Sequence, residues 1–326
     1  MNRVGIGNDL NPLAHALTAG KLESPSRAAV LARLQSLRQE FAVSRTSTRG
    51  VSWKVRQLYH PETLREIVFL RRSLGTRSPS DAYLRAATLG ILHGHSPSFL
   101  SVRMHNTLSS SPRYVRRYLR RHRLVPERRE TFGLLARRVK KSLPIHGLGR
   151  TGKAVLGDAR KLTWLGGKSV DLIVNSPPYL DVVRYGKMNW LRLWFLGEKA
   201  REVDGRLYKG FNKDRYMAFL TECYSEAFRV LKDDGVMVTV VGDVRRTNLA
   251  KMICARVLPK AIEESGRKNP RLSIIVDKVP AHRKVTRIWS GKKGNATKRD
   301  RIIVASFGRR PSRRQVQWNL IEPAPL

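Results

Sequence analysis

The run Asn175-Ser176-Pro177-Pro178-Tyr179 closes an apolar stretch, Val170-Asp171-Leu172-Ile173-Val174. Each proline lacks a backbone N–H and fixes φ, so two in succession cannot extend a strand ladder. A buried strand is therefore cut off abruptly and followed by a stiff loop. That loop presents a small polar side chain and an aromatic ring, a pairing suited to gripping a flat base that bears an amino group.

Other patterns that could do chemistry are weaker. Gly147-Leu148-Gly149-Arg150-Thr151-Gly152-Lys153 satisfies a phosphate-loop spacing. Such loops must follow a strand and open a helix so that their amides aim at phosphate. Here the segment leads into a strand, and Ala154 stands where a magnesium-binding hydroxyl belongs. His93 and His95 form a His-x-His pair with no nearby cysteine or acid to complete a metal site, so no metal is expected. The only cysteines, Cys223 and Cys254, have no metal-ligand spacing and no disulfide framework.

The elements that must position the loop alternate. Strands are expected at Ala154–Leu156, Val170–Asn175, Val236–Val241, Leu272–Val279 and Arg301–Phe307. An amphipathic helix is expected over Tyr216–Leu231, stopped by Lys232-Asp233-Asp234-Gly235 as a turn. Alternation of this kind predicts an α/β sheet with helices on both faces. The last two strands, with a basic loop and no helix between them, predict an antiparallel hairpin. Residues 24–143 read as helical instead, with three- and four-residue apolar spacing in Ser26–Phe41 and Pro61–Leu74. Pro79, Pro97, Pro112 and Pro126 separate the short helices there. The aromatic run around Met188–Phe195 reads as a helix packed on the sheet.

With 64 lysines and arginines against 25 acids, the net charge of +39 creates a field that attracts polyanions. The charge names a nucleic-acid class of partner and no chemistry. Arg113–Arg123 and Arg128–Lys141 interleave arginines with Tyr114, Tyr118 and Phe132, which suits contacts to a nucleic-acid backbone. The loop Lys284–Arg301 is a rival surface for the same role. No apolar run reaches membrane-spanning length and no signal peptide is evident, so a cytoplasmic location is expected, with no membrane partner.

With these residues in place, the chain resembles the S-adenosylmethionine-dependent amino methyltransferases of DNA, in which a strand ends in Asp/Asn/Ser-Pro-Pro-aromatic. Ser176-Pro177-Pro178-Tyr179 matches the form associated with cytosine N4 rather than adenine N6. Ile6-Gly7-Asn8-Asp9-Leu10-Asn11-Pro12 looks like the end of the family's second strand. Leu156-Gly157-Asp158 looks like the end of its third. The resemblance implies a Rossmann-like methyltransferase sheet with a terminal antiparallel hairpin and a large helical insertion. It implies S-adenosyl-L-methionine as cofactor, with Asp9 and Asn11 at its ribose and Asp158 near its adenine. Either Asp9 or its polar neighbours could equally cap the following helix, and Asp158 could be a turn residue.

The implied catalytic residues are Asn175, Ser176, Pro177, Pro178 and Tyr179. The Ser176 hydroxyl and Pro177 carbonyl would accept the amino hydrogens and free the nitrogen lone pair, while Tyr179 would stack on the base. Tyr185 and Asn189 would line the base pocket.

The implied organisation is a core start at 1–22, a basic helical insertion for target recognition at 23–145, the catalytic core at 146–308 and a flexible basic tail at 309–326. The Gly-rich cofactor loop that should precede Asp9 is not found, so a late start codon or a separate chain supplying it is expected. The alternatives to a DNA methyltransferase of a restriction–modification system are an RNA base methyltransferase and an inactive nucleic-acid-binding remnant.

Overall fold

Pro61, Pro79 and Pro112 each stand at the first turn of a helix, where a missing N–H costs nothing and the fixed φ is already helical. The computed structural model describes residues 3–22, 25–76, 78–105, 107–145, 151–178, 184–207, 212–242, 248–277, 300–307 and 322–323. They fall into two compact units, Met1–Leu156 with Arg184–Leu207, and Gly157–Val183 with Tyr208–Leu326.

The first unit holds strand β1 (Val4–Asp9) and helices α1 (Pro12–Leu22), α2 (Arg27–Val43), α3 (Trp53–Arg56), α4 (Pro61–Ser73), α5 (Pro79–Ile91), α6 (Pro112–Arg121) and α7 (Thr131–Ser142). Strand β2 (Thr151–Leu156) follows, and α8 (Tyr185–Met188), α9 (Trp190–Leu196) and α10 (Ala200–Arg206) return to this unit. Serines 26, 78 and 111 cap α2, α5 and α6 with their hydroxyls, each accepting a backbone N–H of the first turn. Val30, Leu37, Ile67, Leu70, Leu84 and Leu135 sit at the centre of one apolar cluster with almost no exposure. Gly20 of α1 lies against Ala86 and the Ala82 carbonyl of α5, a contact with no room for a side chain.

β1 and β2 pair in parallel, Val4 opposite Thr151 through Asp9 opposite Leu156. Gly5 and Gly7 lie against Leu22 and Thr18 of α1, which lets the helix sit close on that face. Val4 and Ile6, which alternate with them, are exposed. The 147–153 segment does enter a strand, as its sequence context implies, although residues 146–150 lie outside the described residues. The aromatic run differs from expectation. Leu191, Leu193 and Phe195 of α9 are buried in the helical cluster of this unit, not on a sheet.

The second unit is built on strands β3 (Val170–Asn175), β4 (Leu231–Gly242), β5 (Arg271–Asp277), β6 (Asp300–Ser306) and β7 (Glu322–Pro323), in the order β3-β4-β6-β5-β7. β3 and β4 run parallel, while β6 is antiparallel to both β4 and β5. β3 is less covered than its apolar run implies, since Leu172 and Val174 are exposed. The stretch 232–235 does not form the expected turn. Leu231 already pairs with Val170, and the register shifts before Val236 meets Leu172, so Asp171 alone of β3 stands opposite residues 232–235 of β4.

Helices α11 (Lys213–Val230), α12 (Leu249–Arg256) and α13 (Leu258–Glu264) bury Tyr216, Leu220, Phe228, Ile253 and Leu258 with Met237, Ile274 and Ile303 of the strands. Along β4, Met237, Thr239 and Val241 are buried and alternate with half-buried valines, the signature of one strongly covered face. The loop between β5 and β6, and the tail beyond Phe307 except β7, lie outside the described residues.

Candidate active site

The segment after β3 ends as its sequence dictates. Asn175 is the last strand residue and pairs across to Thr239, while Ser176, Pro177 and Pro178 leave the ladder. Ser176 is exposed and both prolines are half-buried. The Asn175 Oδ1 is buried and finds no hydrogen-bond partner among the described residues. An orphaned buried acceptor of this kind calls for an explanation, and a ligand is one. Tyr179 lies outside the described residues.

A residue that sequence reasoning missed holds this loop. Tyr216, at the first turn of α11, is fully buried, and its hydroxyl donates to the Pro178 carbonyl at 2.7 Å. A buried tyrosine usually finds a partner for its hydroxyl, and here that partner is a loop carbonyl that the sequence alone does not name. Asn212 fixes the start of α11 by accepting from the N–H groups of Asp214 and Arg215.

Asp158 lies in the same unit. Its carboxylate accepts three bonds from the Arg160 guanidinium between 2.7 and 3.1 Å and one from the Arg160 backbone N–H at 3.0 Å. Those hydrogen bonds, led by the guanidinium, hold the carboxyl below the usual carboxylate range. Arg160 in turn reaches Glu222 at 3.3 Å and lies over the Phe219 ring at 5.6 Å, which ties the 158–160 turn to α11. The turn-residue role of Asp158 is thus present in the geometry.

In the first unit, Asp9 ends β1 and its Oδ1 accepts the Asn11 N–H at 2.8 Å. Partial withdrawal from water pushes this carboxyl above its ordinary range, against the Asn11 N–H and the nearby His15, which pull it down. Asn11 uses its side-chain oxygen to accept the Leu13 N–H at 3.0 Å, so Asn11 is the cap of α1. Tyr185 opens α8, whose first N–H groups donate to Asp204 at 2.8 and 3.1 Å. Asn189 donates from Nδ2 to the Tyr185 carbonyl at 3.0 Å and locks the joint between α8 and α9.

His93 is buried with Nδ1 2.9 Å from the Ser101 hydroxyl, and His95 packs against Phe99. Among the described residues no three His, Cys, Asp or Glu side chains gather as a metal site. Phe132, expected among the nucleic-acid contacts, packs instead in the core against Phe41 with ring centroids 5.7 Å apart. No helix of the described residues is long and apolar enough to cross a membrane.

Residues 170–306 match the family model for DNA methylases of the N6/N4 type. That segment carries the Ser-Pro-Pro loop and strands β3 to β6, and the resemblance drawn from the loop holds over it. None of the curated proteins matches the chain. Among solved structures, a candidate DNA modification methylase of Thermus thermophilus, complexed with S-adenosyl-L-methionine, shares 23% identity with a TM-score of 0.27. The match covers 49% of this chain and 58% of that one, so the chain spans little more than half the length of that protein. A candidate exported protein of Bordetella parapertussis is matched over 87% of this chain and 97% of its own, at 12% identity and a TM-score of 0.25.

Proposed function

We propose that this chain transfers a methyl group from S-adenosyl-L-methionine to an exocyclic amine of a DNA base, cytosine N4 in preference to adenine N6. The fold under this reading is a Rossmann-like methyltransferase sheet. The observation that carries the proposal is the Asn175–Pro178 loop at the carboxyl end of a strand paired in parallel, inside the segment that matches the DNA methylase model. Ligands of open α/β sheets bind outside the carboxyl ends of the strands.

The residues present fit the cofactor in part. The one hydrogen bond described at Asp9 leaves its carboxylate capacity for the ribose hydroxyls. Asn11 has its oxygen occupied by the cap of α1 and offers its amide N–H2 group. Asp158 is shared with Arg160, so its contribution near the adenine is the most constrained of the three. When bound, S-adenosylmethionine supplies an electrophilic methyl group.

The chain's own residues act on the base. The exposed Ser176 hydroxyl and the Pro177 carbonyl would accept the amino hydrogens, which would draw the nitrogen lone pair out of the ring and make the amine nucleophilic. Such acceptors are fixed before reaction and need not reorganise during it. Tyr179 stacks on the base once it has left the duplex. Base–aromatic stacking contributes about 1–3 kcal/mol toward the cost of extrusion.

Methyl-labelled cofactor incubated in parallel with duplex DNA and with RNA, followed by nucleoside analysis, tests the reading. N4-methylcytosine is the expected product. N6-methyladenine would overturn the cytosine preference, and label found only in RNA would overturn the DNA substrate.

A further inference from the structure

Residues 112–123 carry six arginines, at positions 113, 116, 117, 120, 121 and 123, and no acid. α6 buries only Val115 from this stretch, and all six arginines are exposed. Elsewhere in the same unit arginines meet carboxylates. Arg33 pairs with Asp81 at 2.8 Å, Arg65 with Glu62 at 3.0 Å and Arg128 with Glu66 at 2.6 Å. Among the described residues, none of the α6 arginines pairs with an acid. A concentration of like charge with no internal compensation is costly unless it serves an anionic partner.

The guanidinium groups are mounted on a fixed support. Tyr114 and Tyr118 stack at 6.0 Å, and His122 extends the row 4.3 Å from Tyr118. His105, from the preceding loop, contacts both tyrosines at 5.9 and 5.8 Å. Gln57 donates to the Pro112 carbonyl at 3.2 Å, and the Trp190 indole N–H donates to the Ser110 carbonyl at 2.9 Å. The aromatic side of α6 is thereby anchored, and the arginine side is left to face a concavity.

That concavity, of about 670 Å³, is lined by Trp53 with Arg113, Arg116, Arg117, Arg120 and Arg121. Trp53 is 42% exposed, and the Arg116 guanidinium lies 5.4 Å from its ring centroid. A second hollow of about 940 Å³ shares Trp53, Arg116 and Arg120 and extends the surface toward Arg56 and Arg123. A helix rises about 1.5 Å per residue, so Arg113, Arg117 and Arg120 stand about 6 and 4.5 Å apart along the axis. Long guanidinium stems at that interval reach successive phosphates of one strand, spaced about 3.4 Å along a duplex. A solvent-facing indole beside them is the platform on which an unpaired base stacks.

We propose that the α6–Trp53 groove is a DNA-binding site of the first unit, in which the arginines hold the phosphates of one strand and Trp53 receives an unstacked base. The choice of DNA rests on the methyltransferase reading, while the polyanion site stands on the groove itself.

Salt-dependent anisotropy of a labelled duplex and of its single strand, with the full chain, tests it. R116Q/R117Q/R120Q removes three phosphate contacts, so the slope of log K against log salt should fall by about 2–3. The control R45Q/R72Q/R201Q removes the same charge from exposed positions of the first unit that do not line the groove, and its slope should change by less than about one. W53L should weaken single-strand binding by about fivefold to a hundredfold and leave the slope unchanged. Equal losses from the two charge variants, or an unchanged slope in the groove variant, would overturn the site. Full single-strand affinity in W53L would overturn the stacking role. Methyl transfer is scored separately, so an unaltered chain that binds through the groove but transfers no methyl group would sink the methyltransferase reading alone.

Discussion

The Tyr216 hydroxyl donates to the Pro178 carbonyl oxygen at 2.7 Å, so the loop after β3 is tethered to the first turn of α11 from a fully buried position. The tether acts on the loop through its backbone. Tyr216→Phe keeps the ring and its packing, so stability should fall by only about 1 kcal/mol. Methyl transfer should fall further, about tenfold or more in kcat, because a small misplacement of positioned groups is expensive. Single-turnover rates beside thermal melting separate the two effects. A rate unchanged at full occupancy would show that the tether only stabilises the fold.

Ser176 makes the sharper test of the chemistry. Ser176→Ala removes one acceptor from an exposed loop residue, so folding should be untouched while kcat falls by about 10²–10³. Tyr179→Ala should keep salt-sensitive DNA binding and lose most turnover. Wild-type methylation by Tyr179→Ala would remove base stacking from the mechanism.

Strand ends are legible in the sequence because their causes are local. Val170–Asn175 ends where Pro177 and Pro178 forbid a ladder, and the structure gives that span unchanged. The start of β4 is not legible. Asp233, Asp234 and Gly235 carry turn chemistry, yet pairing of Leu231 with Val170 draws them into an irregular strand. Tertiary pairing overrides local preference there. The helical spacing of Pro61–Leu74 matches α4 to within a residue. The partners of α9 differ from expectation, because an apolar helix face does not name what it packs against. Tyr216 and Arg160 escape a sequence reading for the same reason, since their partners, Pro178 and Asp158 with Glu222, are fixed by folding.

Glu66 should be the most sensitive carboxylate for the stability of the helical unit. It is 3% exposed, and it accepts from Arg128 at 2.6 Å and from the Thr131 N–H at the start of α7 at 2.8 Å. Glu66→Ala leaves the Thr131 N–H without its acceptor and the Arg128 guanidinium with its bond to the Arg129 carbonyl alone. The loss should be about 2–3 kcal/mol, below that of a fully buried pair because Arg128 remains partly in water. Urea unfolding should show a lower midpoint with an unchanged slope. A shift of less than about 0.5 kcal/mol would mean that water replaces the carboxylate at both donors.

His93 should give the helical unit an acid sensitivity of its own. Burial first, and then the positive charge of Arg192, push its imidazole down to about 4, below the ordinary value of 6.5. Between those values the unfolded chain binds a proton that the folded chain refuses, so stability rises with pH across this window. The contribution is therefore complete above about pH 6.5 and is lost progressively as pH falls toward 4, by an amount on the order of 3 kcal/mol. His93→Gln keeps a polar partner for the Ser101 hydroxyl, 2.9 Å from Nδ1, and removes the titration. The substitution also changes the starting stability, so the measured quantity is the difference in unfolding free energy between pH 7 and pH 4.5. Carboxylates titrate alike in both proteins, which leaves His93 to account for a smaller difference in the variant. Equal differences in the two would assign the acid sensitivity to carboxylates and not to this imidazole.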